Sequence, residues 1–516
     1  MVKKLWKHLS EKRKTQLLLL LILMLLASIM EVVSIGAVVP FISALTSPET
    51  IFKYKIIQPI IEILEITEAN QLLLPLTIIF VIATLTAAAV RLTLLYTLTR
   101  FSYAVGADLS IDIYRRTLYQ DYSIHISRNS SEVINGIIKK TDIVTSGVLA
   151  PTMTFVSSMV IMVGIVTMVF IINPFVALIS FLFVSFIYLI ITYFARGYLQ
   201  KNSDLIAKKS TQMIKSLQEG LGGVRDVLID GTQEFYCDLY RNADLSFRKA
   251  TASNVFTGQS PRYIMEAVGM ILIGVLAYTL TLEEGGLIAA IPSLGALAVG
   301  AGKLLPTLQQ AYASISAING SKSSFNDVLA LLDQPLPLKE HRNSKNILPF
   351  KETIIFKNVS FRYTQDTPWI LKNVNLSFKR GEKIGIVGVT GSGKSTLLDI
   401  LMGLLSPTSG KLLIDGVAVT KGNRREWQAH ISHVPQSIYL ADRSIEENIA
   451  FGVVPEALQE SKVVSAAQLA EIDETINNLK YKYKALVGER GVQLSGGQRQ
   501  RVGIARALYK DSDVII

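Results

Sequence analysis

Six long apolar stretches, unevenly spaced, constrain the fold of this 516-residue chain more than any other feature. A helix needs about 20 mostly apolar residues to cross the hydrocarbon core of a bilayer. The runs Leu17 to Ala44, Leu72 to Thr99, Val148 to Ile172, Phe175 to Phe194, Tyr263 to Leu282 and Leu287 to Leu308 all meet that length. Each is expected to be a membrane-spanning helix, because a backbone in lipid must satisfy its own polar groups. Only a turn at Asn173-Pro174 separates the third from the fourth, and only Glu283-Glu284-Gly285-Gly286 the fifth from the sixth. Two other connections, Arg100 to Gly147 and Ala195 to Arg262, are long, charged and helix-patterned. Composition agrees: half the residues are apolar, 18% are charged and the mean hydropathy is +0.38.

Charge bias sets the expected orientation. The long connections are rich in Lys and Arg, among them Arg115, Arg116, Lys139, Lys140, Lys208, Lys209 and Arg225, whereas the opposite loops carry Glu49, Glu62, Glu65, Glu68 and Glu283-Glu284. The N-terminus, both long connections and the C-terminal portion are therefore expected in the cytoplasm. The formal charge of +11 does not imply nucleic acid, since the basic residues are mixed with acidic ones and broken up by apolar segments; basic loops beside anionic lipid account for it. Lys3-Lys4 and Lys12-Arg13-Lys14 precede the first run in the order of a signal peptide. No small-residue cleavage site follows and the run is too long for a signal core, so an uncleaved span is expected. A single cysteine, Cys237, excludes an internal disulfide or a multi-cysteine metal site.

After the sixth run a helical pattern continues to Leu332, and Asp333-Gln-Pro-Leu-Pro337 with polar residues to Asn346 reads as a linker. The period then changes: Thr353 to Tyr363 and Ile370 to Phe378 read as strands. The expected fold is multidomain: an all-α six-helix membrane domain over 1–332, a linker over 333–350, and an α/β domain over 351–516.

The α/β portion contains Gly388-Val-Thr-Gly-Ser-Gly-Lys-Ser-Thr396, which has the spacing G-x-x-x-x-G-K-[ST]. Glu382 to Gly388 reads as a buried strand before it and Lys394 to Met402 as a helix after it. Between them, backbone amides of Gly388, Thr390, Gly391, Ser392 and Gly393 and the first turn of the helix, through Thr396, are placed to close on phosphate oxygens, helped by the partial positive charge of the helix N-terminus. Lys394 is expected to reach the β- and γ-phosphates of ATP and the Ser395 hydroxyl to hold Mg²⁺. Nearer the C-terminus, Leu494-Ser-Gly-Gly-Gln498 opens a second helix with Ser495, Gly496 and Gly497, whose hydroxyl and amides are expected to face outward toward a γ-phosphate.

With these motifs in place the whole chain resembles the ATP-binding cassette (ABC) transporters of exporter type: a six-span domain fused to a cassette, with Leu494 to Leu508 matching the family signature and the helix after it. The resemblance implies that Ser495, Gly496, Gly497 and Gln498 cover the ATP held by the opposite cassette, so that a homodimer is needed. It also implies that Gln436, in His433-Val-Pro-Gln436, touches Mg²⁺ or the attacking water, that Tyr363 stacks on adenine, and that Gly488-Glu-Arg-Gly491 contacts the cytoplasmic connections. Tyr363 has a second reading, as a core aromatic of its strand. Short helices at Asp121 to Arg128 and Gly223 to Asp230 are expected to rest on cassettes.

The family pattern continues with an apolar strand ending in Asp-Glu and a later histidine, and Asp513-Val-Ile-Ile516 looks like the opening of that strand. A truncated copy of an ordinary transporter is therefore expected, hydrolysing ATP poorly; a chain that only binds ATP is the alternative. The first span, Ala27 to Ile42, and the segment Gln436 to Gly452 resemble ABC proteins that export polysaccharides or lipid-linked oligosaccharides. That resemblance implies a flippase for a lipid with a sugar head group, the alternatives being export of peptides or hydrophobic drugs. Ionisable residues inside spans mark functional sites by default, and Glu31, Arg91, Glu266 and Lys303 qualify. Arg91 and Glu266 are also readable as snorkelling near span ends. Lys303, beside the small residues of Gly295 to Gly302, is expected to be available to a pyrophosphate.

Overall fold

A computed structural model of the chain describes residues 2–46, 68–172, 174–281, 286–336 and 348–516, with the isolated positions 49, 58 and 62. Two compact units are present, Met1–Tyr119 with Arg128–Pro335, and Gln120–Ser127 with Leu336–Ile516. The expected turns at Asn173 and Glu283-Glu284, Glu65, and the linker from Pro337 to Asn346 lie wholly or largely outside the described residues.

The first unit is helical. Its long helices run Glu11–Gly36, Leu73–Leu118, Ala150–Ile172, Pro174–Gly222, Gln233–Gln259, Pro261–Thr281 and Gly286–Gly320. Among the described residues three helical stretches are long and apolar enough to cross a membrane: Glu11–Leu45, Leu73–Leu118 and Ser130–Ile171. The fourth, fifth and sixth expected spans fall on Pro174–Gly222, Pro261–Thr281 and Gly286–Gly320. Leucines and isoleucines cover much of the outer surface of the first two helices, Leu18, Ile22, Leu25, Leu74, Ile82 and Leu85 among them. In water that would be unfavourable; in lipid it costs nothing.

Polar and small side chains tie the helices together. Ser28 Oγ donates to the Val160 carbonyl at 3.0 Å, joining the first and third spans. The buried core at the basic end gathers Leu20, Met24, Phe101, Val105, Ile113, Val148 and Phe325. An ion pair from the buried Lys140 Nζ to the partly exposed Asp327 at 2.6 Å holds the first long connection to the helix Lys322–Leu332 that follows the sixth span.

In the second unit β1 (Thr353–Phe361) pairs antiparallel with β2 (Leu371–Lys379) and β3 (Ser409–Ile414), and β4 (Val417–Ala418) extends the sheet in the order β2-β1-β3-β4. A separate parallel pair joins β5 (Ile431–Ser432) to β6 (Val514–Ile515). The apolar core between them contains Phe356, Ile414, Ile400 and Trp427. Trp427 is fully buried and donates its ring N–H to the Leu401 carbonyl at 2.7 Å. A second core packs the helix Gly496–Tyr509, through Val502 and Ala505, against Ile445, Ile449, Val463 and Ala467.

One expectation fails. Glu382 to Gly388 has no regular secondary structure, and Ile384 and Val387 are 49% and 94% exposed. A strand needs ladder partners on at least one edge, and among the described residues none pairs with this segment. Only Ile386 is packed against the core.

Candidate nucleotide site and intramembrane charge cluster

The loop after Gly388 rises into the helix Lys394–Leu401 through two residues in the left-handed region, Gly391 at φ +85° and Gly393 at φ +88°. Gly393 is the N-cap. A Cβ there would stand 3.0 Å from Leu371 Cδ2 and 3.3 Å from the Ile370 carbonyl oxygen, so the loop is held closely against the start of β2. Lys394 Nζ donates to the carbonyls of Gly388 at 2.7 Å and Val389 at 2.9 Å, which keeps the ammonium over the loop. Thr396 is buried and anchors the first turn, while Thr390, Ser392 and Ser395 are exposed. The first amides of a helix have no acceptor within it. Helix dipole, first-turn amides and ammonium thus belong to one loop, an arrangement suited to an anion, and the exposed Ser395 hydroxyl is a hard oxygen donor suited to Mg²⁺. When bound, that ion would neutralise phosphate charge.

Tyr363 is 45% exposed, with its ring edge-on to Phe361 at 5.1 Å between centroids. It is not a core aromatic of β1. Tyr122, in the segment that belongs to this unit, has its phenol pushed up by burial and then by the charge of Asp399 and of Tyr363. Asp399, on the helix that starts at Lys394, is itself pushed up by burial, with His433 pulling the other way. Gln436 is exposed in the loop after β5.

The second motif forms a reciprocal cap. Ser495 is the N-cap of Gly496–Tyr509; its Oγ accepts from the Gln498 amide at 3.3 Å and the Gln498 side-chain oxygen accepts from the Ser495 amide at 2.8 Å. This capping box spends the Gln498 oxygen inside the motif. Ser495, Gly496 and Gly497 are all exposed, and a Cβ added at either glycine would meet nothing within 4 Å. Among the described residues no hydrogen bond or ion pair joins the loop 388–396 to residues 494–498.

Sequence reasoning missed Arg506. Its guanidinium donates to the carbonyls of Asn448 at 2.9 Å and Tyr439 at 3.0 Å and lies 4.5 Å from the centre of the Phe451 ring. Burial pushes its pKa down, and among the described residues no carboxylate pairs with it. It ties the segment just after Gln436 to the helix that starts at Ser495. The helical spacing from Val502 was a visible signal, but the acceptors are carbonyls, which carry no sequence signature.

Of the expected short helices, Tyr122–Ser127 belongs to the second unit, where Asp121 pairs with Lys421 at 2.9 Å and Arg424 at 2.6 Å. Val224–Ile229 forms in the first unit with Leu228 and Ile229 exposed. Gly488 to Gly491 makes a single 3₁₀ turn before the capped helix.

Three of the four ionisable residues inside the spans meet. The buried Glu31 carboxylate lies 3.4 Å from Arg91 Nη1 and 3.4 Å from Lys303 Nζ, and Lys303 also donates to Ser34 Oγ at 3.1 Å. Arg91 is therefore more than a snorkelling end residue. Among the described residues Glu266 pairs only with Arg262, one turn away on its own helix. Side chains over 286–297, which include the start of the glycine-rich run, lie outside the description.

Comparison with known proteins agrees with this geometry. A family model described as ABC transporter transmembrane region matches residues 15–283, and one described as ABC transporter matches residues 371–516. The fold is similar to that in a structure of a bacterial Atm1-family ABC exporter with ATP bound, with a TM-score of 0.77 at 19% identity over 97% of this chain and 85% of that one. Leukotoxin translocation ATP-binding protein LktB of Mannheimia glucosida is 39% identical over 209 residues, 40% of this chain. The protein of that name in Pasteurella haemolytica-like sp. (strain 5943B) is 38% identical over 209 residues. The match spans 28% of the length of these relatives.

Proposed function

The chain belongs to the ABC transporter family as a half-transporter of exporter type, and from that premise we propose that two copies form a homodimer that moves a lipid-linked sugar across a bacterial cytoplasmic membrane. The N-terminus and cassette face the cytoplasm. Lys394 and Ser395 of one copy hold ATP and Mg²⁺, and Ser495, Gly496 and Gly497 of the other cover the γ-phosphate. Gln436 senses the metal or the attacking water, and Tyr363 supports the adenine.

The observation that carries the cargo assignment is the cluster of Glu31, Arg91 and Lys303. One carboxylate faces two cations, so a formal positive charge remains inside the membrane unit. Such a charge is costly in lipid unless it serves a function, and a pyrophosphate would compensate it. Glu31 holds both cations together.

Export of a protein or peptide is the second reading, favoured by the leukotoxin translocation for which the LktB relatives are named. A stretch of 209 residues is shorter than residues 1–335, so the likeness cannot embrace the whole membrane part where cargo is recognised. Binding to the purified protein in nanodiscs separates the two. Polyprenyl pyrophosphate carrying a sugar should bind, and Lys303→Gln should weaken it about tenfold, the loss of one charge-assisted contact. Unchanged binding in that variant, or binding of peptide in place of lipid, would refute the lipid assignment.

A further inference from the structure

A groove of about 660 Å³ runs between the helices Glu11–Gly36 and Leu73–Leu118, away from the cluster of Glu31, Arg91 and Lys303. Arg13, Gln16, Leu19 and Leu23 line one wall, and Tyr96 and Arg100 the other. The two helices run in opposite directions, and Arg13 reaches Asp108 and the Ala104 carbonyl on the second. Polar groups therefore gather at the N-terminal end of the groove, where Arg13, Gln16, Arg100 and Tyr103 lie, and leucines line the other end. Ten residues of helix separate Arg13 from Leu23, about 15 Å at 1.5 Å per residue. That is about half the thickness of a hydrocarbon core, or one leaflet.

The charges at the polar end do not balance. Arg13 is matched by Asp108, which it contacts at 2.7 and 3.3 Å. Among the described residues nothing pairs with Arg100, and the hydroxyls of Tyr96 and Tyr103 have no partner either. Tyr103 is 53% exposed, as expected of an aromatic whose ring sits at a membrane boundary with its polar tip in the headgroups. A groove one leaflet long, apolar at one end, with an unpaired guanidinium and phenol at the other, fits an amphiphile with an anionic head.

We propose that this groove is a binding site for an anionic phospholipid of the leaflet on the N-terminal side. The phosphate lies against Arg100, with Gln16 and the Tyr103 hydroxyl as further donors, and one acyl chain runs along Leu19 and Leu23. The site is distinct from the proposed cargo site and independent of what the cargo is. It would tie the first two spans to the composition of the membrane.

Native mass spectrometry of the purified full chain, titrated with phosphatidylglycerol and separately with phosphatidylcholine, tests this. Wild-type protein should retain phosphatidylglycerol in preference to phosphatidylcholine. Arg100→Gln should lower that preference about fivefold, since one basic residue near an anionic surface contributes about that factor. Arg100 is exposed, so the variant should fold; retention of nucleotide binding checks this. Leu23→Gln at the apolar end should weaken both lipids. Excess glycerol phosphate should not displace the lipid, because it lacks the chain. Equal retention of both lipids by wild type, an unchanged preference in Arg100→Gln, displacement by glycerol phosphate, or a change in oligomeric state with no change in lipid retention would each overturn the proposal.

Discussion

Replacing Gly393 by alanine puts a methyl group where the chain turns into the phosphate-facing helix. Two costs follow from the geometry. At φ +88° an L-residue pays about 1–2 kcal/mol of backbone strain. The new Cβ also stands 3.0 Å from Leu371 Cδ2, 3.1 Å from Ile370 Cγ2 and 3.3 Å from the Ile370 carbonyl. The two side-chain tips can yield, but the carbonyl belongs to the backbone at the start of β2, and crowding of this kind costs about 1 kcal/mol or more. The sum, about 2–3 kcal/mol, falls on the loop conformation that ATP requires, which corresponds to a roughly 30- to 150-fold loss of affinity. Gly391→Ala is the internal control. Its φ of +85° brings the same strain, but nothing lies within 4 Å of the added carbon. Its loss should stop at roughly 5- to 30-fold. Titration of a fluorescent ATP analogue against the purified chain in detergent reads both. Affinity of Gly393→Ala within threefold of wild type, or a larger loss in Gly391→Ala than in Gly393→Ala, would refute the assignment of this loop geometry to nucleotide binding.

Ser495→Ala removes the cap oxygen and the exposed hydroxyl together; the helix should lose about 1 kcal/mol, and retention of ATP after gel filtration should fall while the first-encounter affinity for the nucleotide changes less than twofold. Trp427→Ala should destabilise the second unit by about 3–5 kcal/mol, and Trp427→Phe by about 1–3 kcal/mol because the Leu401 carbonyl loses its donor; calorimetric unfolding measures both. The hydrogen bond from Lys421, and with it Arg424, holds the Asp121 carboxyl below its ordinary value of 3.8. The charged pair thus contributes fully above that value and is lost as the pH falls through the lowered one. At pH 7 Asp121→Asn should raise hydrogen exchange over residues 120–127, whereas wild type should show the same rise only in strong acid.

Motifs that depend on neighbours in sequence were readable. The turn into Lys394–Leu401 needs glycines with left-handed φ, and the Ser495–Gln498 box needs a hydroxyl and an amide three residues apart; both requirements are met within a few residues of chain. The strands at Thr353–Phe361 and Leu371–Lys379 were visible for a similar reason, since their alternation and branched residues recur over each strand's own length. Glu382 to Gly388 looks just as strand-like, yet it stays unpaired, because a ladder depends on what lies beside it and not on its own residues. Arg506 stayed hidden because its acceptors are main-chain carbonyls at Asn448 and Tyr439.

By itself the sequence determined where helices can cross a bilayer, where a phosphate-binding motif lies and which family the chain resembles, for each of these rests on local spacing and hydropathy. Glu31, Arg91 and Lys303 were visible as costly charges, but as separate ones. Only the tertiary structure brought them together, 60 residues apart in one pair and on three different helices, around a single buried carboxylate. Likewise it alone separated the matched Arg13 from the unmatched Arg100. Charge compensation acts through distance in space, and in a helical membrane unit that distance is decided by how whole helices pack.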